Sequence, residues 1–68
     1  MRAALGQRVK DLRHSRKRSQ ADLAEDAGIR RALVSQIERG DANPRLDTIL
    51  RIASALKVEP AALLSLKG

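Results

Sequence analysis

The stretch from Ser19 to Gly40 reads SQADLAEDAGIRRALVSQIERG, and it decides the fold. Ser19 can accept hydrogen bonds from the free N–H groups of a helix start, and Asp22 follows three residues later as a weak capping box. Gly28 is predicted to end this helix, because glycine adopts the left-handed backbone conformation at little cost. The apolar face of the helix contains Leu23, Ala24 and Ala27. These signals predict a helix of about two turns.

A second short helix is predicted between Gly28 and Gly40. Its apolar pattern contains Ile29, Val34 and Ile37. Two short helices joined at a glycine have the form of a helix-turn-helix, with the motif at about residues 19–39. Ala24 is small, so the two helices can cross closely without a side chain forcing them apart.

Three further helices are predicted around this motif. Helix one has its apolar residues at spacings of four and three: Leu5, Val9 and Leu12. After a loop at residues 41–44, helix four carries more than one apolar stripe, as expected for a helix that others pack around: Leu46, Ile49, Leu50, Ile52, Ala53 and Leu56. Pro60 suits the first turn of a fifth helix over residues 60–66. The sequence therefore predicts a compact all-α fold of five helices, in one domain over residues 1–68.

Residue types that are absent exclude several functions. The 68 residues contain no Cys and one His, His14, so neither a metal site nor a nucleophile with its base can be assembled. We expect no cofactor, no small-molecule substrate and no enzyme activity. There is no Phe, Tyr or Trp to stack on single-stranded nucleic acid. No apolar run is long enough to cross a bilayer, and the N-terminus lacks a signal peptide, which predicts a cytoplasmic protein without membrane partners.

The positive charge is concentrated at the N-terminal end. The net charge is +6, and ten of the fourteen basic residues are Arg. Such a domain attracts polyanions, of which DNA and RNA are the commonest, and Arg suits phosphate and base-edge recognition. The alternative is a solvated basic face that only keeps the protein soluble.

At several positions the sequence resembles the phage repressor and Cro type of helix-turn-helix protein. The resemblance rests on Ser19-Gln20-Ala21-Asp22-Leu23-Ala24, Gly28, Val34-Ser35-Gln36-Ile37-Glu38-Arg39-Gly40 and Asn43-Pro44, with Gly6 in helix one and Ile52-Ala53 in helix four. It covers nearly the whole chain and implies a lambda-repressor-like DNA-binding domain. The third helix of such a domain lies in the major groove of double-stranded DNA.

The resemblance implies four base-contacting positions, which are Arg30, Arg31, Ala32 and Gln36. Their chemistry suits the role, because Arg bonds guanine, Gln bonds adenine and the Ala methyl meets a thymine methyl. Two adjacent arginines are also compatible with ordinary exposed charge, although cations are disfavoured at a helix N-terminus. A guanine or phosphate nearby would offset that cost.

Further positions are predicted to contact the DNA backbone: Gln20, Arg16, Lys17, Arg18, Leu33, Asn43 and Arg45. The family implies a phosphate contact for Gln20, and a loop arginine at the position of Arg45 that reaches the minor groove in some relatives. The run from Arg16 to Arg18 either follows the phosphates or forms a solvated loop. Leu33 either packs on DNA sugars or faces a second subunit.

Two positions are predicted to be structural, and two others depart from the family pattern. Arg13 and Glu38 match an ion pair that connects helix one to the third helix. Relatives usually place Leu or Ile where Arg18 stands, so the apolar contact there is expected to be weaker. Arg30 cannot accept a hydrogen bond, so it cannot cap the third helix as Ser or Thr does in relatives.

The predicted function is that of a dimeric transcriptional regulator that reads a palindromic operator, because one such domain touches few base pairs. The homodimer contact is predicted at Leu63, Leu64 and Leu66, although two of these residues could instead complete the domain's own core. The alternative function is an antitoxin-type or adaptor module of the same fold, with a toxin or another protein as its partner.

Overall fold

A computed structural model describes residues 2–64 of the chain, with the side chains of residues 4–64. The helices are α1 (Arg2–Ser15), α2 (Gln20–Ala27), α3 (Arg31–Glu38), α4 (Leu46–Leu56) and α5 (Pro60–Leu64). The predicted all-α fold with five helices in this order is confirmed. The last two residues of the predicted fifth helix, 65 and 66, lie outside the described residues. None of the helices within residues 2–64 is long and apolar enough to cross a membrane.

The boundaries of α2 are set by the signals in its sequence. The Ser19 hydroxyl accepts a hydrogen bond from the Asp22 N–H at 3.0 Å, and the Asp22 carboxylate accepts one from the Ser19 N–H at 3.1 Å. At the other end Gly28 has φ 70°, and the N–H of Ile29 donates to the Ala24 carbonyl at 2.9 Å. A complete capping box and a left-handed glycine therefore enclose the helix, as predicted.

The start of α3 differs from that of α2. Arg30 occupies the N-cap in an extended conformation and makes no side-chain capping hydrogen bond. Its guanidinium has only donors, so it cannot accept from the first N–H groups of the helix. The positive end of the helix dipole is therefore not neutralised by its own cap.

The core receives apolar side chains from all five helices. The buried hydrophobic residues are Val9, Leu23, Ala24, Ala27, Val34, Ile37, Ile49, Ile52, Ala53, Leu56 and Leu63. Within the described residues, α3 packs against α1 and α2, and α4 packs against α2 and α5. The opposite face of α3 remains outside the core.

A glycine allows α1 and α3 to approach closely. A Cβ added at Gly6 would lie 2.2 Å from the carbonyl oxygen of Ile37 and 2.9 Å from that of Glu38. Real Cβ atoms do not come that near to backbone oxygens, so only glycine fits here without movement of a helix. The contact sets the position of the last turn of α3.

The C-terminal leucines behave differently from the prediction. Leu63 is 0% exposed and belongs to the core, so its assignment to a dimer contact is wrong. Leu64 is half-buried against the same core, and Leu66 lies outside the described residues. Among the side chains of residues 4–64, the exposed large hydrophobic ones are instead on α4, where Leu46 is 63% and Leu50 is 45% exposed. The neighbours of α4 cover only one side of its wide apolar surface.

Candidate nucleic-acid interface

One face of α3 presents the predicted base-contacting residues to solvent. Arg30, Arg31, Ala32 and Gln36 are all exposed. Val34 and Ile37 lie on the other side of the helix and are buried. Leu33 is half-buried and packs against the core. Its contact with DNA sugars stays a prediction. The geometry leaves an amphipathic helix with its polar face free.

Sequence reasoning missed Arg39, which lies at the end of this exposed face. Arg39 follows Ser35 by four residues and Gln36 by three, so the three side chains share one side of α3. Arg39 Nη1 donates to Ser35 Oγ at 2.8 Å, and Arg39 Nε donates to Asp41 Oδ2 at 3.1 Å. The spacing alone could have identified Arg39. Its position before Gly40 instead suggested only a helix end.

A buried ion pair fixes α3 to α1. Arg13 Nε lies 2.7 Å from Glu38 Oε2, and Arg13 Nη2 lies 3.0 Å from Glu38 Oε1. The two side chains are 9% and 4% exposed. Arg13 Nη1 also donates to the carbonyl oxygen of Arg18 at 2.8 Å. One guanidinium therefore connects α1, the loop before α2 and α3, and the structure contains the pair that the resemblance implied.

Glu38 remains an anion in this setting. Burial alone raises the pKa of Glu38, but hydrogen bonds from Arg13 and Gln20 outweigh it, so the net pKa lies below the ordinary range of a glutamate. The carboxylate is thus stabilised in its charged form by two donors from different helices.

Gln20 belongs to the same network. It is the first residue of α2, it is half-buried, and its Nε2 donates to Glu38 Oε1 at 3.1 Å. An amide nitrogen carries two hydrogens, so one N–H remains for another acceptor. The start of a helix favours an anion, which makes this residue suitable for a phosphate contact.

The basic run before α2 divides into two parts. Arg16 and Lys17 are exposed, whereas Arg18 forms an ion pair with Asp26 in the last turn of α2. Its guanidinium therefore points along α2, away from the N-terminal end where a phosphate is predicted. The backbone contact predicted for Arg18 does not fit this geometry. The ion pair stands at the position where the resemblance implied an apolar residue.

The loop after α3 carries the other predicted backbone contacts. Asn43 and Arg45 are exposed. The Arg45 side chain is 86% exposed, and its Nε lies 3.5 Å from an Asp47 carboxylate oxygen. An exposed pair of this length is weak, so the Arg45 guanidinium is available to another anion.

Comparison with known proteins assigns the chain to a family. The helix-turn-helix family model matches residues 9–63. The immunity repressor protein of Bacillus phage phi105 is 41% identical over 59 residues, which cover 87% of this chain and 41% of the repressor. Control protein C.BamHI of Bacillus amyloliquefaciens is 42% identical over 65 residues, which cover 94% of this chain and 80% of the control protein.

A solved structure agrees with the sequence matches. The restriction-modification controller protein C.AhdI from Aeromonas hydrophila aligns with a TM-score of 0.90 at 40% identity. The alignment covers 91% of this chain and 94% of the C.AhdI chain. By contrast, this chain spans less than half the length of the phage repressor. These relatives are named as a repressor and as controllers, not as enzymes. The chain belongs to the helix-turn-helix family of the phage repressor and Cro type, and it is a DNA-binding transcription regulator.

Proposed function

We propose that the chain binds double-stranded DNA sequence-specifically as a homodimer, reads a palindromic operator through the major groove with α3, and so regulates transcription. The observation that carries the proposal is the free polar face of α3. Arg31 and Gln36 are exposed there, while Val34 and Ile37 anchor the same helix in the core.

The electrostatics of α3 favour an anionic or electron-rich partner. Arg30 and Arg31 stand at the positive end of the helix dipole, and no side chain caps that end. This placement destabilises the free protein slightly, because like charges meet. A phosphate or a guanine edge beside the two guanidinium groups would remove the penalty.

Groups that suit phosphates flank α3 along the chain. Gln20 begins α2, where one amide N–H and the helix dipole both favour an anion. Asn43 and Arg45 follow α3 in an exposed loop. We assign phosphate contacts to these residues and to Arg16 and Lys17, and we leave Arg18 out of the set.

The dimer contact is proposed on α4, at Leu46 and Leu50. A two-fold axis perpendicular to α4 and level with Ile49 would place Leu46 of one copy about 3 Å along the helix from Leu50 of the other, given the rise of about 1.5 Å per residue. The same axis would put Asp47 of each copy level with Arg51 of the other. The face is thus self-complementary in shape and in charge.

This dimer should be weak in the absence of DNA. Two leucines from each copy provide only part of the roughly 1,200 Å² that a stable interface buries. Two half-sites on one duplex would bring the copies together and supply the missing free energy. The half-sites are expected about one helical turn apart.

Titration with duplex DNA tests the proposal. A binding sequence is selected from a random pool, and its affinity is measured by fluorescence anisotropy at several salt concentrations. The Arg31→Ala and Gln36→Ala variants should each lose about 5- to 150-fold in affinity for that sequence. Lys10→Ala is the matched control, because it removes one exposed charge from α1, outside the assigned DNA and dimer contacts. Binding that ignores both sequence and salt would refute the proposal.

Sedimentation equilibrium with and without the selected duplex tests the dimer separately. Leu46→Glu and Leu50→Glu should abolish the cooperative binding of two copies to one duplex, whereas Ala4→Glu at an exposed position of α1 should not. Binding of two copies by the glutamate variants with unchanged cooperativity would exclude the α4 contact. It would leave the base-contacting assignment intact.

A further inference from the structure

We propose that Arg39 is a specificity-determining residue that reads a guanine in the major groove, with Ser35 and Asp41 as positioning residues. The inference rests on the proposed function and extends it to the last turn of α3. The assignment starts from contacts that the guanidinium makes in the free protein.

Arg39 is the C-cap residue of α3, directly after Glu38, and it lies in line with the exposed face of the helix. At 3.6 residues per turn, positions 32, 35, 36 and 39 project on one side of a helix, opposite positions 34 and 37. Val34 and Ile37 are buried, so the side that carries Arg39 faces away from the core. A helix seated in the groove by Arg31 and Gln36 therefore also presents Arg39.

The guanidinium is folded back along the helix. Its Nη1 donates to Ser35 Oγ at 2.8 Å, one turn before the Cα of Arg39. Four residues correspond to about 6 Å of axial rise, so the guanidinium lies beside Gln36 and not beyond the C-terminal end of α3. This matters because bases are read mainly from the N-terminal part of a recognition helix.

The remaining donors match a guanine edge. Arg has five N–H donors, of which Asp41 takes the one on Nε and Ser35 takes one on Nη1. The second N–H of Nη1 and both N–H groups of Nη2 stay available. Two of these can bond the O6 and N7 acceptors of guanine together, and the two protein contacts already restrict the side chain before DNA binds.

The Asp41 carboxylate favours a base over a phosphate. It lies 3.1 Å from Arg39 Nε and is itself exposed, with 62% of its side chain accessible. A phosphate at the Arg39 guanidinium would meet this second anion and be repelled. A guanine edge carries no net charge and meets less of that repulsion, so the exposed pair gives a modest preference for a base over a phosphate.

The experiment compares the selected duplex with a set in which each base pair of the half-site is changed in turn. Anisotropy titrations use the wild-type chain, Arg39→Ala, Arg39→Lys and the control Lys10→Ala, which removes an exposed charge from α1. Arg39→Ala should lose about 5- to 150-fold on the best duplex, and it should lose the preference for guanine at one position only. Arg39→Lys should not restore that preference, because a lysine lacks the planar fork. Asp41→Ala should weaken the preference while leaving Arg39 in place.

Other results would overturn the inference. An equal loss on every duplex, with the salt slope reduced by about one unit, would show a phosphate contact instead. Affinities for Arg39→Ala that match the wild-type chain would show no contact. Thermal melting of each variant confirms that it is folded before titration. If the wild-type chain binds duplexes without regard to sequence, the proposed function fails first; if wild type discriminates and Arg39→Ala discriminates equally, only this inference fails.

Discussion

Substitution of Gly6 by Ala should destabilise the protein although alanine is the better helix former. Gly6 lies inside α1, where Gly→Ala at an exposed position gains about 1 kcal/mol of helix stability. Here the added methyl carbon would stand 2.2 Å from the Ile37 carbonyl oxygen and 2.9 Å from that of Glu38. Both obstacles are backbone atoms, so no side chain can rotate to make room.

The magnitude follows from the distance that must be regained. Real Cβ atoms essentially never come within 3.0 Å of such an atom, and ordinary contact begins at 3.4 Å. The two helices, α1 and α3, must therefore separate by roughly 1 Å at this point, and overpacking of this kind costs about 1–3 kcal/mol or more. We take the upper end because the backbone itself must move, which leaves a net loss of about 2 kcal/mol after the propensity gain. In a domain of this size that corresponds to a melting temperature lower by about 8–16 °C.

Urea unfolding followed by circular dichroism measures the loss as a change of midpoint at constant slope. Lys10 is an exposed residue of α1, and the difference between Lys10→Gly and Lys10→Ala gives the propensity contribution in the same helix. Gly6→Ala should fall well below the wild-type chain, while Lys10→Ala should exceed Lys10→Gly by about 1 kcal/mol. A Gly6→Ala chain as stable as wild type would refute the close approach of α1 to α3.

The buried ion pair and one helix end give three more expectations. Arg13→Met should cost about 3–5 kcal/mol, because Glu38 is left buried with Gln20 as its remaining partner, and urea midpoints should show that the double variant Arg13→Met/Glu38→Met recovers most of the loss. The stabilising contribution of Glu38 should be fully present above the ordinary glutamate pKa of about 4.3, and it should be lost as the pH falls through the lower pKa of the folded state. Below pH about 4.3, the unfolding free energy of Glu38→Gln should therefore change less steeply with pH than that of the wild-type chain. Lys57 has φ 58° at the end of α4, so Lys57→Gly should raise the unfolding free energy by about 0.5–1 kcal/mol in thermal melts, whereas Lys57→Ala should bring no gain.

The sequence was sufficient to predict features that depend on local chemistry. The boundaries of α2 follow from Ser19, Asp22 and Gly28, because a capping box and a left-handed C-cap act within a few residues. The exposed positions of Arg31 and Gln36 follow from helical periodicity once Val34 and Ile37 are assigned to the core. These inferences need no knowledge of how distant helices meet.

The misplaced leucines show where such reasoning ends. Apolar periodicity shows that Leu46 and Leu50 belong to the wide apolar surface of α4. It does not show which side of that surface a neighbouring helix covers. In α5 the orientation of Leu63 depends on the turn that returns the chain to α1 and α4, and that turn places it at 0% exposure. Burial is a property of the assembled helices, so of two equally apolar residues one can be buried and the other exposed.

Two arginines show that charge, like burial, depends on the assembled structure. Arg18 and Arg39 have identical side chains next to helix ends, and composition treats them alike. Arg18 pairs with Asp26 along α2, whereas Arg39 pairs with Asp41 and also bonds Ser35 of α3, with 60% of its side chain exposed. The acceptors within reach, not the net charge, set where each guanidinium lies.

The last turn of α3 is held from behind by two independent contacts with α1. Gly6 of α1 lets the two backbones approach each other at Ile37 and Glu38. Arg13, which is also on α1, binds the Glu38 side chain. One contact limits the distance between the helices and the other limits their relative rotation. Two such restraints fix the last turn of α3 more firmly than either alone, so the backbone of this helix is held in one position relative to α1 before DNA arrives. That preorganisation lowers the entropy cost of binding, and it explains why a chain with so small a core uses a buried ion pair at this point.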